Sequence, residues 1–379
     1  MQVKTSCFIL GAASMIALFS GCRSDVKKKL ASPDFSKEAV LDYKAGLRPY
    51  RKTGIRLESE SYQDKLIIHD YGHGGSGISL SWGSARRSLQ VLEEELSKRP
   101  PNKEEEIAVL GAGVIGLTTV HLLLEKGWKV HVYASDFPPN TTSNLAPGIW
   151  NRVLVESDHM KKILRDSYTD FKALAENKSP RFKGVTPLKI YTFKKIKNST
   201  MAAMPSGTIP KGIPLKATFE NGMHKKGMFF HSFLIDSAVY LEDLFEKAQA
   251  QGAEFTRLSL GSKKDLEKLP QKIIFNCTGL GSKALFGDKQ LIPIRGHLIY
   301  LKPTEGFDSM VAGPLKDDLD LYLIPLQDKI VLGGSYEMDI EELQPDSEIC
   351  EKILKNARLF FTSDPQAWES KENGDREGT

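Results

Sequence analysis

Apolar positions along the chain come in two rhythms, short unbroken runs and helical spacings, with turn residues between them. Leu66-Ile67-Ile68 is an unbroken run inside Tyr62 to Asp70 and predicts a short buried strand. It leads into Tyr71-Gly72-His73-Gly74-Gly75-Ser76-Gly77, after which Trp82, Ala85, Leu89, Leu92 and Leu96 recur at helical spacing between Ile78 and Leu96. Glycines at this density let a backbone turn tightly and approach a ligand, although a flexible surface loop has the same composition. Ile107-Ala108-Val109-Leu110 predicts a second buried strand, Leu117 to Lys126 a helix closed by Gly127, and Lys129 to Tyr133 another strand. Downstream, Met160 to Ala175 reads as a helix, Leu188 to Phe193 as a strand, Ile235 to Gln251 as an amphipathic helix and Ile273 to Cys277 as a strand. Leu298 to Leu301, Leu321 to Ile324 and Lys329 to Leu332, separated by turn residues, predict an antiparallel sheet, and Glu348 to Ala357 a helix. Arg23 to about Lys44 is polar and mixed and reads as a tether, Ser97 to Glu106 as a polar connector, and Thr362 to Thr379 as a polar tail.

The order strand, turn, helix, strand gives the turn Gly111-Ala112-Gly113-Val114-Ile115-Gly116 a chemistry. Gly111 permits the tight turn, Gly113 lets the backbone approach a pyrophosphate, and Gly116 lets helix and strand pack closely. The helix N-terminus then faces a diphosphate. An acidic residue normally ends the second strand and holds the adenosine ribose; here the chain offers Ser135 and then Asp136, a displaced position. Thr141-Thr142-Ser143-Asn144 supplies hydroxyls suited to phosphate or ribityl oxygens, and equally to turn capping. The strand at Ile273 to Cys277 runs into Thr278-Gly279, a second return to glycine that fits a nucleotide domain interrupted by a substrate domain.

At 379 residues the chain can form one large α/β domain or two domains sharing a ligand. A net charge of +4, without a basic stripe carrying stacking aromatics, excludes a nucleic-acid footprint. Cys7 to Phe19 is an apolar run of 13 residues behind Lys4, too short to span a bilayer comfortably, and reads as a signal-peptide core. Phe19-Ser20-Gly21-Cys22 resembles a bacterial lipidation box, so an exported protein attached to a membrane through lipidated Cys22, or a periplasmic one, is expected. Simple secretion, an uncleaved anchor and a buried helix are the alternatives. Cys277, in an apolar strand, reads as an inert buried thiol. The eight histidines show no metal-ligand spacing, and no metal is expected.

Several stretches together resemble the D-amino-acid oxidase group of flavoproteins, which includes D-aspartate oxidase and is related to glycine oxidase. They are IAVLGAGVIGL at Ile107 to Leu117, VYASDFPPNTTSNLAPGIW at Val132 to Trp150, FNCTG at Phe275 to Gly279, IPIRGHLI at Ile292 to Ile299, IVLGG at Ile330 to Gly334 and LKNARLF at Leu354 to Phe360. The resemblance implies an α/β fold, with a Rossmann-like FAD-binding domain and an antiparallel-sheet substrate domain, over about residues 45 to 361. In that family the segments matching GLRPYR at Gly46 to Arg51 and HDYGHGGSG at His69 to Gly77 follow the LKNAR helix; here they precede the nucleotide-binding strand. The chain thus resembles a circular permutant. The implied divisions are 45–96 for the relocated part of the FAD domain, 97–106 for a linker, 107–150 for the Rossmann-like unit and 151–361 for the substrate domain, with FAD-domain segments near 271–290.

The resemblance also implies roles. Arg48 would pair with a substrate carboxylate, Tyr322 would assist it, and Gly75 would offer a carbonyl to the substrate amine. Gly74, Gly77, Ile78 and Ser79 would approach the flavin ring, Thr141 and Thr142 its phosphate and ribityl chain, and Gly148-Ile149-Trp150 the isoalloxazine, although Trp150 could equally fill core. His69 and His73 are not assigned as bases, because the family moves the α-hydrogen as hydride without one. Two departures stand out: Asp318 occupies the place of a second active-site tyrosine, where it would repel acidic substrates or pair with basic ones unless it lies on an exposed loop, and Ala146-Pro147 replaces paired alanines. The implied activity is FAD-dependent oxidative deamination of a small D-amino acid, giving imino acid and then keto acid and ammonia, with oxygen or a quinone as acceptor. A membrane-tethered dehydrogenase and a flavin-binding protein without turnover are the competing readings.

Overall fold

The computed structural model describes residues 26–98, 105–145, 147–150, 155, 157–178, 181–194, 207–208, 212–315 and 319–362. In chain order its strands are β1 (Val26–Leu30), β2 (Val40–Arg51), β3 (Arg56–Tyr62), β4 (Lys65–Tyr71), β5 (Glu106–Leu110), β6 (Lys129–Ala134), β7 (Gly148–Ile149), β8 (Val185–Thr192) and β9 (Ile213–Phe219). They continue with β10 (His224–Ile235), β11 (Glu254–Arg257), β12 (Ile273–Asn276), β13 (Leu291–Leu301), β14 (Met310–Pro314), β15 (Asp320–Pro325), β16 (Ile330–Gly333) and β17 (Glu337–Met338). The helices are α1 (Gly77–Leu96), α2 (Val114–Glu125), α3 (Met160–Ala175), α4 (Ser237–Ala250), α5 (Ser282–Leu285) and α6 (Ser347–Thr362).

The unbroken apolar runs become a sheet of order β11-β6-β5-β12-β4-β3, parallel except for its antiparallel edge strand β3. Strands covered on both faces need apolar residues at every position, which is why Ile107 to Leu110 and Ile273 to Phe275 lack alternation. One face packs on α1, α2, α3 and α4 through Trp82, Leu89, Leu92, Leu117, Phe171 and Leu244. The other is covered by Leu266, Leu269 and Leu285. The expected helix after the glycine loop is α1, with Trp82, Ala85, Leu89, Leu92 and Leu96 all buried.

A larger sheet has the order β1-β9-β10-β8-β14-β15-β16-β13-β17, with β2 added on β13 and β7 on β10. The expected antiparallel run is present as β13, β16 and β15. Helix α6 closes this core with Ile353, Leu354, Ala357, Phe360 and Phe361 against Leu321, Leu323 and Phe219. Strand β2 links the two sheets: it pairs with β13 from Val40 to Arg51, while Tyr50 bridges His73 and the Gly74 amide donates to the Pro49 carbonyl at 2.8 Å.

Two expectations are corrected. The presumed tether is part of the fold, because β1 pairs in parallel with β9 and Leu30, Phe35 and Ala39 are buried in the core of the larger sheet or beside it. Its lysine-rich strand, Val-Lys-Lys-Lys-Leu, hides a burial that only a distant partner creates. The membrane-attached lipoprotein reading is withdrawn: no helix among the described residues is long and apolar enough to cross a membrane. The longest, α1, carries Arg86, Arg87 and three consecutive glutamates on its outer side. The leader with Cys22, most of the connector 97–106, the tail after Thr362, Ala146 and Asp318 lie outside the described residues.

Candidate active site

A cavity of about 620 Å³ opens at the carboxyl ends of β4, β5, β6 and β12, where open α/β sheets receive their ligands. The first glycine turn has the geometry its residues predict. Gly111 stands at φ +98°, a conformation that L side chains rarely adopt. A Cβ on Gly116 would lie 1.9 Å from the Gly111 carbonyl oxygen, so only glycine lets α2 start this close to β5. Gly113 caps α2, and the Val114 amide donates to Ser143 Oγ at 3.2 Å. Backbone donors at a helix start, beside Thr141, Thr142 and Ser143, form an anion-binding corner of the cavity. Asp136 lines the same cavity, but its carboxylate is engaged by Arg257 at 2.9 Å, which also donates to the Ser135 carbonyl.

The opposite wall carries Arg48, half-buried on β2. Its Nη1 donates to the Ser335 carbonyl at 3.2 Å and its guanidinium lies 4.4 Å from the centre of the Tyr336 ring. Among the described residues no carboxylate pairs with it. Two glycines make its room: a Cβ on Gly296 would fall 2.3 Å from Arg48 Nη1, and one on Gly75 would fall 2.8 Å from Arg48 Cδ. Tyr322 comes from β15 and fits over Gly333, where a Cβ would meet the phenol oxygen at 2.3 Å. Burial pushes the Tyr322 hydroxyl upward, and Arg48 beside it acts in the opposite direction.

Residues 106–376 match the family of FAD dependent oxidoreductases. The chain belongs to that family. It is 28% identical over 269 residues to a D-amino-acid oxidase of Streptomyces coelicolor, covering 70% of this chain and 79% of the relative. A D-amino-acid oxidase of Dictyostelium discoideum is 26% identical over 265 residues, covering 67% of this chain and 72% of the relative. The crystal structure of glycine oxidase from Bacillus cereus superposes with a TM-score of 0.51 at 14% identity, over 67% of this chain and 77% of that one, a likeness of fold.

This FAD-dependent oxidoreductase therefore takes FAD as its cofactor, and the glycine turn, the α2 N-terminus and the cavity they border fit an adenine dinucleotide. Of the residues anticipated from sequence, Arg48, Gly75, Gly77, Ile78, Gly111, Gly113, Val114, Ile115, Ser135, Asp136, Thr141, Thr142, Ser143, Thr278, Gly279 and Tyr322 line the cavity. The others stand behind it. Gly74 adopts φ +58° against Val155 and Tyr50, and Gly148 leaves room for Ile78. Ser79 donates to the Ile149 carbonyl at 2.8 Å. Trp150 does not line the cavity: it is 3% exposed, packs on Tyr168 and Phe171, and donates its indole N–H to the Thr208 carbonyl.

Neither histidine of the glycine loop is placed as a free base. His69 is buried between Glu60 and Asn276, away from the cavity, and burial pushes it down to about 4. His73 does line the cavity, with Nε2 2.9 Å from Ser84 Oγ, whose hydroxyl donates to Asp70 at 2.6 Å. Cys277 is a buried thiol pushed well upward by burial. Ser335, Tyr336, Gly296 and Gly333 had no role from sequence reasoning. The two glycines lie in the stretches IPIRGHLI and IVLGG, and only their contacts with Arg48 and Tyr322 give them a purpose.

Proposed function

We propose that this flavoenzyme oxidatively deaminates a small D-amino acid, on a D-amino-acid-oxidase-like fold whose segments run in circularly permuted order. The observation that carries the substrate reading is Arg48: a half-buried guanidinium on the cavity wall, cleared by two glycines and paired with no carboxylate among the described residues. A planar fork in that state is matched by a ligand carboxylate, bound through two parallel N–H···O contacts. Tyr322 adds a hydroxyl donor beside it, and the Gly75 carbonyl is the acceptor proposed for the substrate amine. With carboxylate and amine both held, rotation about the Cα bonds is frozen and the α-hydrogen has one direction to face.

The chemistry supplied by bound FAD is acceptance of two electrons with the α-hydrogen as hydride. The neutral amine's lone pair forms the C=N bond as the C–H bond breaks, and the protonated imino acid then takes up water to give keto acid and ammonium. Oxygen, as final acceptor, becomes hydrogen peroxide. The protein supplies orientation and exclusion of water, with no general base among His69 and His73. Anaerobic mixing with D-alanine should bleach the oxidised flavin band while L-alanine leaves it intact. Absence of bleaching with every neutral, acidic and basic D-amino acid would remove the substrate assignment.

The family match begins at residue 106, yet residues 46 to 78 furnish Arg48, Gly75 and Gly77 to the same cavity. That supports the permuted order, with β4 adopted beside β12 in the parallel sheet. Digestion of the purified protein should yield a peptide crossing residues 97–107; separate chains or a different junction would reject the permutation.

A further inference from the structure

At the end of the parallel sheet away from the cavity, three potential metal ligands converge from three neighbouring strands. His131 of β6 is in register with Ala108 of β5 and with Glu254 of β11, and Glu106, two residues before Ala108, shares their face. One ligand atom from each of Glu106, His131 and Glu254 lies within 4.8 Å of the others. His131 Nδ1 is 3.5 Å from Glu254 Oε2. Two ligands about 2.1 Å from a tetrahedral ion stand about 3.4 Å apart, so this pair is already at coordinating separation. Glu254 is 70% exposed and can swing to close the remaining gap.

The surroundings orient these groups as a metal's outer partners would. The His131 ring stacks on Tyr133, with centroids 4.3 Å apart and planes 7° apart, which fixes its tilt. Coordination through Nδ1 requires the proton on Nε2, and Thr256 Oγ1 lies 2.8 Å away to accept it. Glu106 Oε2 accepts from Gln271 Nε2 at 2.6 Å, leaving its other oxygen available. Lys129, in register with Glu106, forms no ion pair with it among the described residues. Burial pushes the Tyr133 hydroxyl upward, the Gln271 hydrogen bond opposes that, and the nearby charges of Glu106 and Glu254 add to it.

We propose that Glu106, His131 and Glu254 form a site for a borderline divalent cation such as Zn²⁺. Two carboxylates and a neutral imidazole balance a double charge, and the nitrogen donor favours Zn²⁺ over Mg²⁺ or Ca²⁺. The bound ion would clip the edge strand β11 to β6 and β5, acting on stability and not on the reaction. No sequence spacing announces it because each ligand comes from a different strand.

The test uses the full-length, flavin-loaded protein, stripped by EDTA that is then dialysed away, and titrated with ZnCl2 by calorimetry and thermal unfolding at pH 7.5. The expected result is one Zn²⁺ per chain that raises the melting temperature, weakened at least tenfold by His131→Asn and by Glu254→Gln, with flavin absorption unchanged and MgCl2 without effect. Glu254→Gln alters an exposed side chain and decides the matter if His131→Asn folds poorly. Zn²⁺ binding that survives Glu254→Gln undiminished, or no saturable binding by the native protein, overturns the site.

Discussion

Gly296→Ala tests Arg48 as the proposed carboxylate anchor without replacing it. A methyl at this position would meet Arg48 Nη1 at 2.3 Å, Nη2 at 2.5 Å and Cζ at 2.7 Å, whereas ordinary contact begins near 3.4 Å. The guanidinium must therefore retreat by roughly 1 Å, which it can do because it is the end of a flexible side chain; the backbone of β13 need not move. Folding and flavin content should stay near native levels. A bidentate contact does not tolerate such a shift, and misplacement of about 1 Å typically costs on the order of 100-fold, or about 2.7 kcal/mol, in kcat/KM. Arg48→Leu, which deletes the charged donors outright, should cost about 2 to 5 kcal/mol of substrate binding. The assay is steady-state oxidation of D-alanine beside titration of a non-oxidisable carboxylic acid against the flavin's visible absorption. A Gly296→Ala enzyme with native affinity for both ligands would refute the reasoning, because the carboxylate would then be bound elsewhere.

Three further outcomes follow from the same structure. Gly116→Ala forces a methyl to 1.9 Å from a backbone oxygen and should yield protein without flavin and with a lowered melting temperature; normal flavin content would show that α2 can shift away. Asp70 lines the cavity with a buried Oδ2 that has no hydrogen-bond partner among the described residues. Asp70→Asn removes that charge from the neighbourhood of an anionic diphosphate and should tighten FAD several-fold in a fluorescence titration, whereas weaker binding would contradict the argument. His69 and His121 are pushed down to about 4 by burial from the ordinary 6.5. The unfolded chain then binds protons first as pH falls, so this stability is full above about 6.5 and is lost toward about 4, by roughly 3 kcal/mol per histidine. Urea midpoints at pH 7, 6 and 5 should decrease in that order, and a flat profile would count against it.

The parts of this molecule that were legible in its sequence are those where local chemistry and tertiary role coincide. Gly111 and Gly116 are required by a turn and a helix start within six residues of each other, and α1 carries its buried face in its own spacing. Strand β1 was illegible because three lysines break any apolar signal, and its pairing with β9 is made almost two hundred residues away. Trp150 could be read either way, since a tryptophan beside a cofactor and one in a core are the same residue; the indole's bond to Thr208 places it in the core. Tyr336 was missed for a different reason: it gains meaning only by lying against Arg48 from the loop between β16 and β17.

The strand that bears Arg48 is also fastened to the glycine loop, through the Gly74–Pro49 hydrogen bond and the Tyr50–His73 bridge. Anchor and loop therefore share one mechanical unit, and whatever steadies one end steadies the other. Thermodynamic reciprocity then applies: a carboxylic acid seated on Arg48, as proposed, should tighten FAD by the same factor by which FAD tightens the acid. The enzyme would keep its cofactor best when substrate is abundant.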